Sequence, residues 1–398
     1  MKFNDEIASN AIESSNLFAK CFATAYNNNS TLGTSSTKSS PQIPLLTSNY
    51  LTLIKFKDSQ VLKVLKRLDR YKGAGADGIP SVFVANCASA LAKPLAFIYN
   101  KSLATGIFPS IWKKALIIPL YKNGNKNLIN NYRPISILLV FAKVFEKLLH
   151  PVLSWHFKQL LNVRQHGFAV ARSTATNLTS FINDVSMELD RRSSIDAIYT
   201  DFSKAFDRVN HTVLLHKLSG YGFAEPLLSW CASYLSVRNS SVVVNGYSSD
   251  PFLIRSGVPQ GSHLGPLLFN MFVNDIGDCF LNSSHYLFAD DLKFFRPVNE
   301  FDDATLLQDD LDRLAVWCDC NDMTLNVSKY SSMRFTRKNG DTLDFAYTIK
   351  NCTLTRVYSI KDLGVTLDCK LQFNRHIDNI CAGGFKSLGF ILRNGRDL

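Results

Sequence analysis

Three acidic side chains are the first residues in this chain that could do chemistry. Asp201 sits in the apolar run Ile198 to Phe202 (IYTDF), and Asp290-Asp291 follow 89 residues later between two apolar runs, Tyr286 to Ala289 and Leu292 to Phe295. The first run suits a buried strand, and the second pair of runs suits a hairpin with both acids at its bend. Adjacent strands lie about 4.8 Å apart, so a strand end beside a hairpin tip gathers three carboxylates. Such a cluster suits nucleotidyl transfer, in which two divalent ions roughly 3.5–4 Å apart hold the attacking and leaving oxygens of an in-line displacement. Mg²⁺ is the expected ion, since it takes hard oxygen ligands and completes its shell with water and substrate phosphates. An Asp-Asp pair alone is usually just a turn. The expectation rests on the assembly.

The elements that must position these acids are legible in outline. Ala115 to Leu120 (ALIIPL) is a second apolar run of strand type. Ser241 to Asn245 and Phe252 to Arg255 flank a Gly-containing turn and predict a hairpin. Val61, Val64, Leu65 and Leu68 mark one helical face, and Leu307, Leu311, Leu314, Ala315 and Cys318 mark another. Val213 to Leu218 reads as a helix with Asn210 as its cap. Strands and helices interleave with hairpins in the middle, which predicts an α+β fold with an antiparallel sheet.

Composition sets the outer limits. The 398 residues are 46% hydrophobic and 19% charged, as in ordinary globular proteins. Forty-four basic against 33 acidic residues leave a formal charge of +11, a surplus that suits a polyanionic partner through counterion release. Seven basic residues (Lys55, Lys57, Lys63, Lys66, Arg67, Arg70 and Lys72) crowd one stretch. The nine cysteines are scattered without a framework, and Cys318 and Cys320 lack the second pair that a zinc site needs. The N-terminus is charged where a signal peptide would be apolar, and no run approaches the roughly 18 apolar residues of a membrane span. The expectation is a reduced intracellular compartment, nucleus or cytoplasm, with no membrane partner. Residues 27 to 40 hold eleven Asn, Ser or Thr in fourteen, a linker composition.

The motifs then become specific. Asp201-Phe202-Ser203-Lys204-Ala205-Phe206-Asp207, Ser256-Gly257-Val258-Pro259-Gln260-Gly261-Ser262 and Phe288-Ala289-Asp290-Asp291 resemble the first three catalytic motifs of LINE-type (non-LTR) reverse transcriptases. Asn131-Tyr132-Arg133-Pro134-Ile135-Ser136 resembles their fingers motif, and Gln165-His166-Gly167-Phe168 with Arg172-Ser173-Thr174 the segment leading into the palm. Trp317, Leu325-Asn326 and Lys329 resemble the fourth palm motif, and Lys361-Asp362-Leu363-Gly364-Val365 the primer grip. The likeness runs from about Leu51 to the C-terminus in the family's order and is most like the jockey-like group of arthropod elements. Phe288 stands where many relatives have Tyr, while His263 and Lys293 fill variable positions.

The resemblance implies a right-hand polymerase with helical fingers at 50–194, an antiparallel-sheet palm at 195–336, and a primer grip with a truncated thumb at 337–398. Residues 1–26 would be a remnant of an upstream connector helix, and 27–49 a polar linker. It implies RNA-directed DNA synthesis, with an RNA template, a DNA primer and deoxynucleoside triphosphates as partners and two Mg²⁺ as cofactors. Asp201, Asp290 and Asp291 would be the catalytic metal ligands, and Lys329 would protonate the departing pyrophosphate. Phe206 would lie under the incoming sugar, where a ring leaves no room for a 2′-hydroxyl. Gln260 and Gly261 would meet the nucleotide, and Arg133 its triphosphate, because a guanidinium fork suits phosphate oxygens. Asp207 would cap the next helix. The family usually carries an endonuclease before the linker, so the expectation is a piece of a longer polyprotein. The rival is a catalytically inactive, basic nucleic-acid-binding remnant that keeps the fold without turnover.

Overall fold

Alternation decides where the strands lie. Ile195, Ala197 and Tyr199 enter one apolar cluster with Phe295 and with Met333 and Phe335, the period of two that a pleated strand imposes. The computed structural model describes residues 1–26, 46–338 and 343–395. The polar stretch at 27–40 lies outside them. The chain forms two compact units: Met1–Leu161 with Lys204–Asn274 and Cys320–Thr324, and Asn162–Ser203 with Asp275–Asp319 and Leu325–Leu398.

In the first unit, the expected Ala115 run is the Lys114–Tyr121 strand. It pairs antiparallel with Tyr132–Leu138 and parallel with Arg238–Val244. Arg238–Val244 pairs in turn with Phe252–Ile254 through residues 238–240 and with Tyr247–Ser248 through Val243 and Val244. The expected partners at 241–245 and 252–255 therefore share a sheet but are not paired with each other. The segment read as helical fingers therefore contains two sheet strands. The resemblance supplied the helical description, and the apolar run at 115–120 is what forms the sheet. The Ala11–Ala23 helix is capped by Asn10, whose side chain accepts from the Glu13 N–H at 2.9 Å. Leu17, Phe18, Cys21 and Phe22 bury its apolar face against Ile117, Ile129 and Val242, so it is part of this unit's core. The Asp58–Lys66 helix turns Val61 and Leu65 inward and leaves Lys63 and Lys66 in solvent.

In the second unit, Ile195–Thr200 is buried at every position and lies at the centre of a five-stranded sheet. Asp291–Pro297 and then Ser284–Phe288 flank it on one side. Ser331–Phe335 and then Thr355–Arg356 flank it on the other. Every pair is antiparallel except the last. Phe181, Val185 and Leu189 of the Thr174–Asp190 helix cover one face. A separate hairpin, Ser359–Asp362 with Val365–Asp368, packs Ile360, Val365 and Leu367 onto the same cluster. The α+β expectation is borne out. Among the described residues, no helix is long and apolar enough to cross a membrane.

Candidate active site

The second unit holds the acids. Leu292 pairs with Thr200, and the same register continued by one residue sets Asp291 beside Asp201. Ala289 and Asp290 form the two-residue turn between Phe288 and Asp291, with Ala289 in the left-handed region at φ 57°. Asp201 and Asp291 line one pocket of about 520 Å³ together with Lys293, Lys329, Tyr199 and Asp362. Among the described residues, no three His, Cys, Asp or Glu side chains close tightly enough to form a ligand shell by themselves.

Electrostatics show how strongly the acids feel one another. The Asp291 carboxyl is raised to about 6, first by lost hydration and then by Asp290, Asp362 and Asp201, with Lys293 opposing. Two cations offset this excess. Lys329 Nζ donates to Asp201 Oδ2 at 2.7 Å, and Asn326 Nδ2 donates to the same oxygen at 3.0 Å. The Asn326 backbone N–H donates to the Asp201 carbonyl, also at 3.0 Å. Asn326 and Lys329 thus fix Asp201 from the side chain and the main chain together. Lys293 Nζ donates to Asp362 Oδ2 at 2.5 Å, and burial pushes its ammonium down.

Gln165 builds the hairpin tip. Its buried Oε1 accepts from the Gly167 N–H at 2.7 Å and from the Ala289 N–H at 3.0 Å. Asn177 Nδ2 and the His166 N–H both donate to the Leu287 carbonyl, at 2.9 and 2.8 Å. A Cβ on Gly167 would stand 2.2 Å from the Ala289 nitrogen. Only glycine lets the two backbones approach this closely. Gln165 belongs to the Gln165-His166-Gly167-Phe168 motif but was given no role there. Asn177, with no titratable charge and no metal-ligand pattern, gave no signal of its own.

The residues expected at the nucleotide lie in the first unit. Phe206 is half-buried and stacks on Phe269, with centroids 4.2 Å apart and 17° between planes. The Ala205–Arg208 turn of helix is stitched to the glycine loop. The Val258 N–H donates to the Phe206 carbonyl at 2.8 Å, and Ser256 Oγ to the Asp207 carbonyl at 2.8 Å. Gly257, at φ 83°, faces the Asp207 backbone, where a Cβ would lie within 2.6 Å. Gln260 Nε2 donates to Asp207 Oδ1 at 2.8 Å. Asp207 is buried, and its carboxyl is raised to about 6 by burial, against the pull of Gln260, Lys204 and Arg208. The expected helix-cap role of Asp207 is therefore corrected. Asn210 caps the His211–Gly220 helix, accepting from Thr212 and Val213, and Asp207 holds Gln260 instead. Arg133 is exposed on the Tyr132–Leu138 strand, and Ser136 of that strand donates to the Gln260 carbonyl at 2.9 Å. Gly261, at φ 102°, faces the Ser136 carbonyl.

Clustered acids at adjoining strand ends, a glycine loop tied to an aromatic turn and an α+β fold are features that a polymerase-type catalytic domain would need. The family model described as reverse transcriptase (RNA-dependent DNA polymerase) matches residues 120–367, more than half of the chain, and the chain belongs to that family. It is 30% identical over 388 residues to the probable RNA-directed DNA polymerase from transposon BS of Drosophila melanogaster, across 94% of this chain and 42% of that protein. It is 30% identical over 332 residues to the RNA-directed DNA polymerase from mobile element jockey of the same fly, across 81% of this chain and 36% of that protein. The probable RNA-directed DNA polymerase from its transposon X-element is 29% identical over 333 residues, with 82% and 36% covered. The expected kinship with jockey-like elements is borne out, and the chain spans about two fifths of the length of these curated relatives.

Proposed function

We propose that the chain is the polymerase part of a non-LTR retrotransposon protein and copies an RNA template into DNA. The observation that carries the reading is that Asp201 and Asp291 line one pocket, with Asp290 in the adjoining turn. In the step proposed, a primer 3′-oxygen attacks the α-phosphorus of a deoxynucleoside triphosphate. The α–β phosphoanhydride bond breaks, pyrophosphate departs, and the 3′-hydroxyl passes its proton to solvent water.

Asp201, Asp290 and Asp291 are the residues that would hold two Mg²⁺. The donor chemistry fits, because these are hard carboxylate oxygens, Asp291 is raised by burial and then by its acidic neighbours, and Lys329 already lies on Asp201 as a cation would. Bound divalent ions supply charge neutralisation at the attacking and leaving oxygens. Lys329, more than half exposed, is proposed to give a proton to the departing pyrophosphate. Phe206, held by Phe269, is proposed to exclude a 2′-hydroxyl. Gln260 and Gly261 would meet the nucleotide, and Arg133 its phosphates.

The fingers (50–194), palm (195–336) and primer-grip (337–398) assignments, the RNA template, the DNA primer and an intracellular setting belong to the same proposal. Its test is extension of a DNA primer on an RNA template by the purified protein. Template-dependent, Mg²⁺-dependent incorporation of deoxynucleotides supports the reading, and tight binding without incorporation supports the inactive remnant.

A further inference from the structure

Lys293 is an improbable residue for its place. It lies two positions after Asp291, in a strand whose neighbours Leu292, Phe294 and Phe295 are buried. Its own side chain is 4% exposed. Burying an ammonium costs several kcal/mol unless a partner and good geometry offset it. Asp362, with a side chain 7% exposed, supplies that partner. The Phe181 ring lies 4.7 Å from the same Nζ, a cation–π contact that adds to the pair. One ammonium therefore joins the Thr174–Asp190 helix, the Asp291–Pro297 strand and the Ser359–Asp362 strand.

The hairpin that carries Asp362 forms its own two-stranded sheet, separate from the central five strands. Apolar side chains hold its body, since Ile360, Val365 and Leu367 pack on the central core. Greasy contacts tolerate a slide of a fraction of an ångström, whereas a buried ion pair has one register. Asp362 is the last strand residue before a turn in which Leu363 and Gly364 take φ 44° and 96°. The pair therefore pins the hairpin at its tip, on the strand that begins with Asp291.

We propose that Lys293 and Asp362 are positioning residues that set the register of the 359–368 hairpin against the catalytic acids and so align the primer terminus for attack. This rests on the reading of Lys361 to Val365 as the primer grip. The pair touches neither substrate nor metal in this account; it positions the hairpin through the strands it joins, while the Lys293 ammonium also shares the pocket of Asp201 and Asp291.

The test compares wild type, Lys293→Met, Asp362→Leu and the double variant. Two quantities are read: the thermal midpoint, and the single-turnover extension rate per active site on primers with a matched or a mismatched 3′ end. Each single variant should lower the midpoint, because it leaves a buried charge unpaired. Each should also narrow the matched-to-mismatched ratio by roughly tenfold or more, since misplacement near 1 Å can cost about a hundredfold. The double variant should regain the midpoint, as apolar replacements of buried pairs often do, without regaining the ratio. Single variants that shift only the midpoint would overturn the proposal, as would a double variant that recovers both quantities. A wild type that extends neither primer would instead overturn the polymerase reading and the positioning role with it, while the midpoints still report whether the pair forms.

Discussion

Phe206 is where sugar choice would be exercised. Its ring is fixed by the stack on Phe269 and by the hydrogen bond to its carbonyl from Val258. Replacing it with Ala removes bulk and leaves the backbone links in place. Steric discrimination compares two bound states, so the change belongs in the ratio of kcat/KM values for deoxy- and ribonucleotides. That ratio should fall by about tenfold or more in Phe206→Ala, measured by single-nucleotide extension, and an unchanged ratio would make Phe206 core packing. A second prediction concerns Asp207, whose folded carboxyl is raised to about 6 from 3.8. The folded state then holds its proton more tightly than the unfolded one. The stability this contributes is present below about pH 4 and lost as pH rises through about 6. Asp207→Asn should therefore be as stable as wild type near pH 4 and relatively more stable at pH 7, by denaturant titration at both. The opposite order would mean that the Gln260 bond outweighs burial. Asp201 and Asp290 stood out by type and spacing, whereas Phe206 was singled out only by the family resemblance. The Asp207–Gln260 bond was not, because it joins residues 53 apart that only the folded chain brings together.

Among the elements, the hairpin carrying Asp290 depends on a neighbour that periodicity could not reveal. The apolar runs on both sides of the acids were enough to predict the Ser284–Phe288 and Asp291–Pro297 strands. The support given to their turn by Gln165 and Gly167 depends on a crossing of backbones. Gly167→Ala should press its methyl onto the Ala289 nitrogen, 2.2 Å away in the present geometry. The expected cost is roughly 1–3 kcal/mol in stability, with a larger loss of primer extension because the turn holding Asp290 must move. Calorimetry beside a single-turnover assay would show this, and a variant active at wild-type rate would mean that the turn tolerates displacement. The segment 50–194 is largely helical, as expected, but it also carries two strands, Lys114–Tyr121 and Tyr132–Leu138, that the expectation left out. A family label describes a whole region, whereas Ala115 to Leu120 had already announced a strand by its own composition. A helix was expected within 1–26, but the burial of Ala11–Ala23 against Ile117 and Val242 is a long-range fact.

For the whole molecule, the formal charge of +11 becomes informative once its distribution is known. Lys55, Lys57, Lys63, Lys66, Arg67, Arg70 and Lys72 are all exposed, and Val61 and Leu65 anchor the Asp58–Lys66 helix that carries Lys63 and Lys66. If this face meets template phosphates, binding should weaken steeply with salt. Neutralising Lys63, Lys66 and Arg67 should flatten that slope by up to about one unit per lost contact, for all sequences alike. An unaltered slope in fluorescence-anisotropy titrations would make the helix a solvated surface.

The central claim is that the acids of the second unit catalyse RNA-directed DNA synthesis. Its most direct test is single-turnover extension of a DNA primer on an RNA template, comparing wild type with Asp290→Asn at equal bound template–primer. The account predicts Mg²⁺-dependent extension by wild type. It also predicts a loss of roughly a hundredfold or more in the variant, the scale of removing one electrostatic stabiliser, with binding unchanged. Equal rates for the two proteins, or firm binding by wild type with no extension at all, would contradict it.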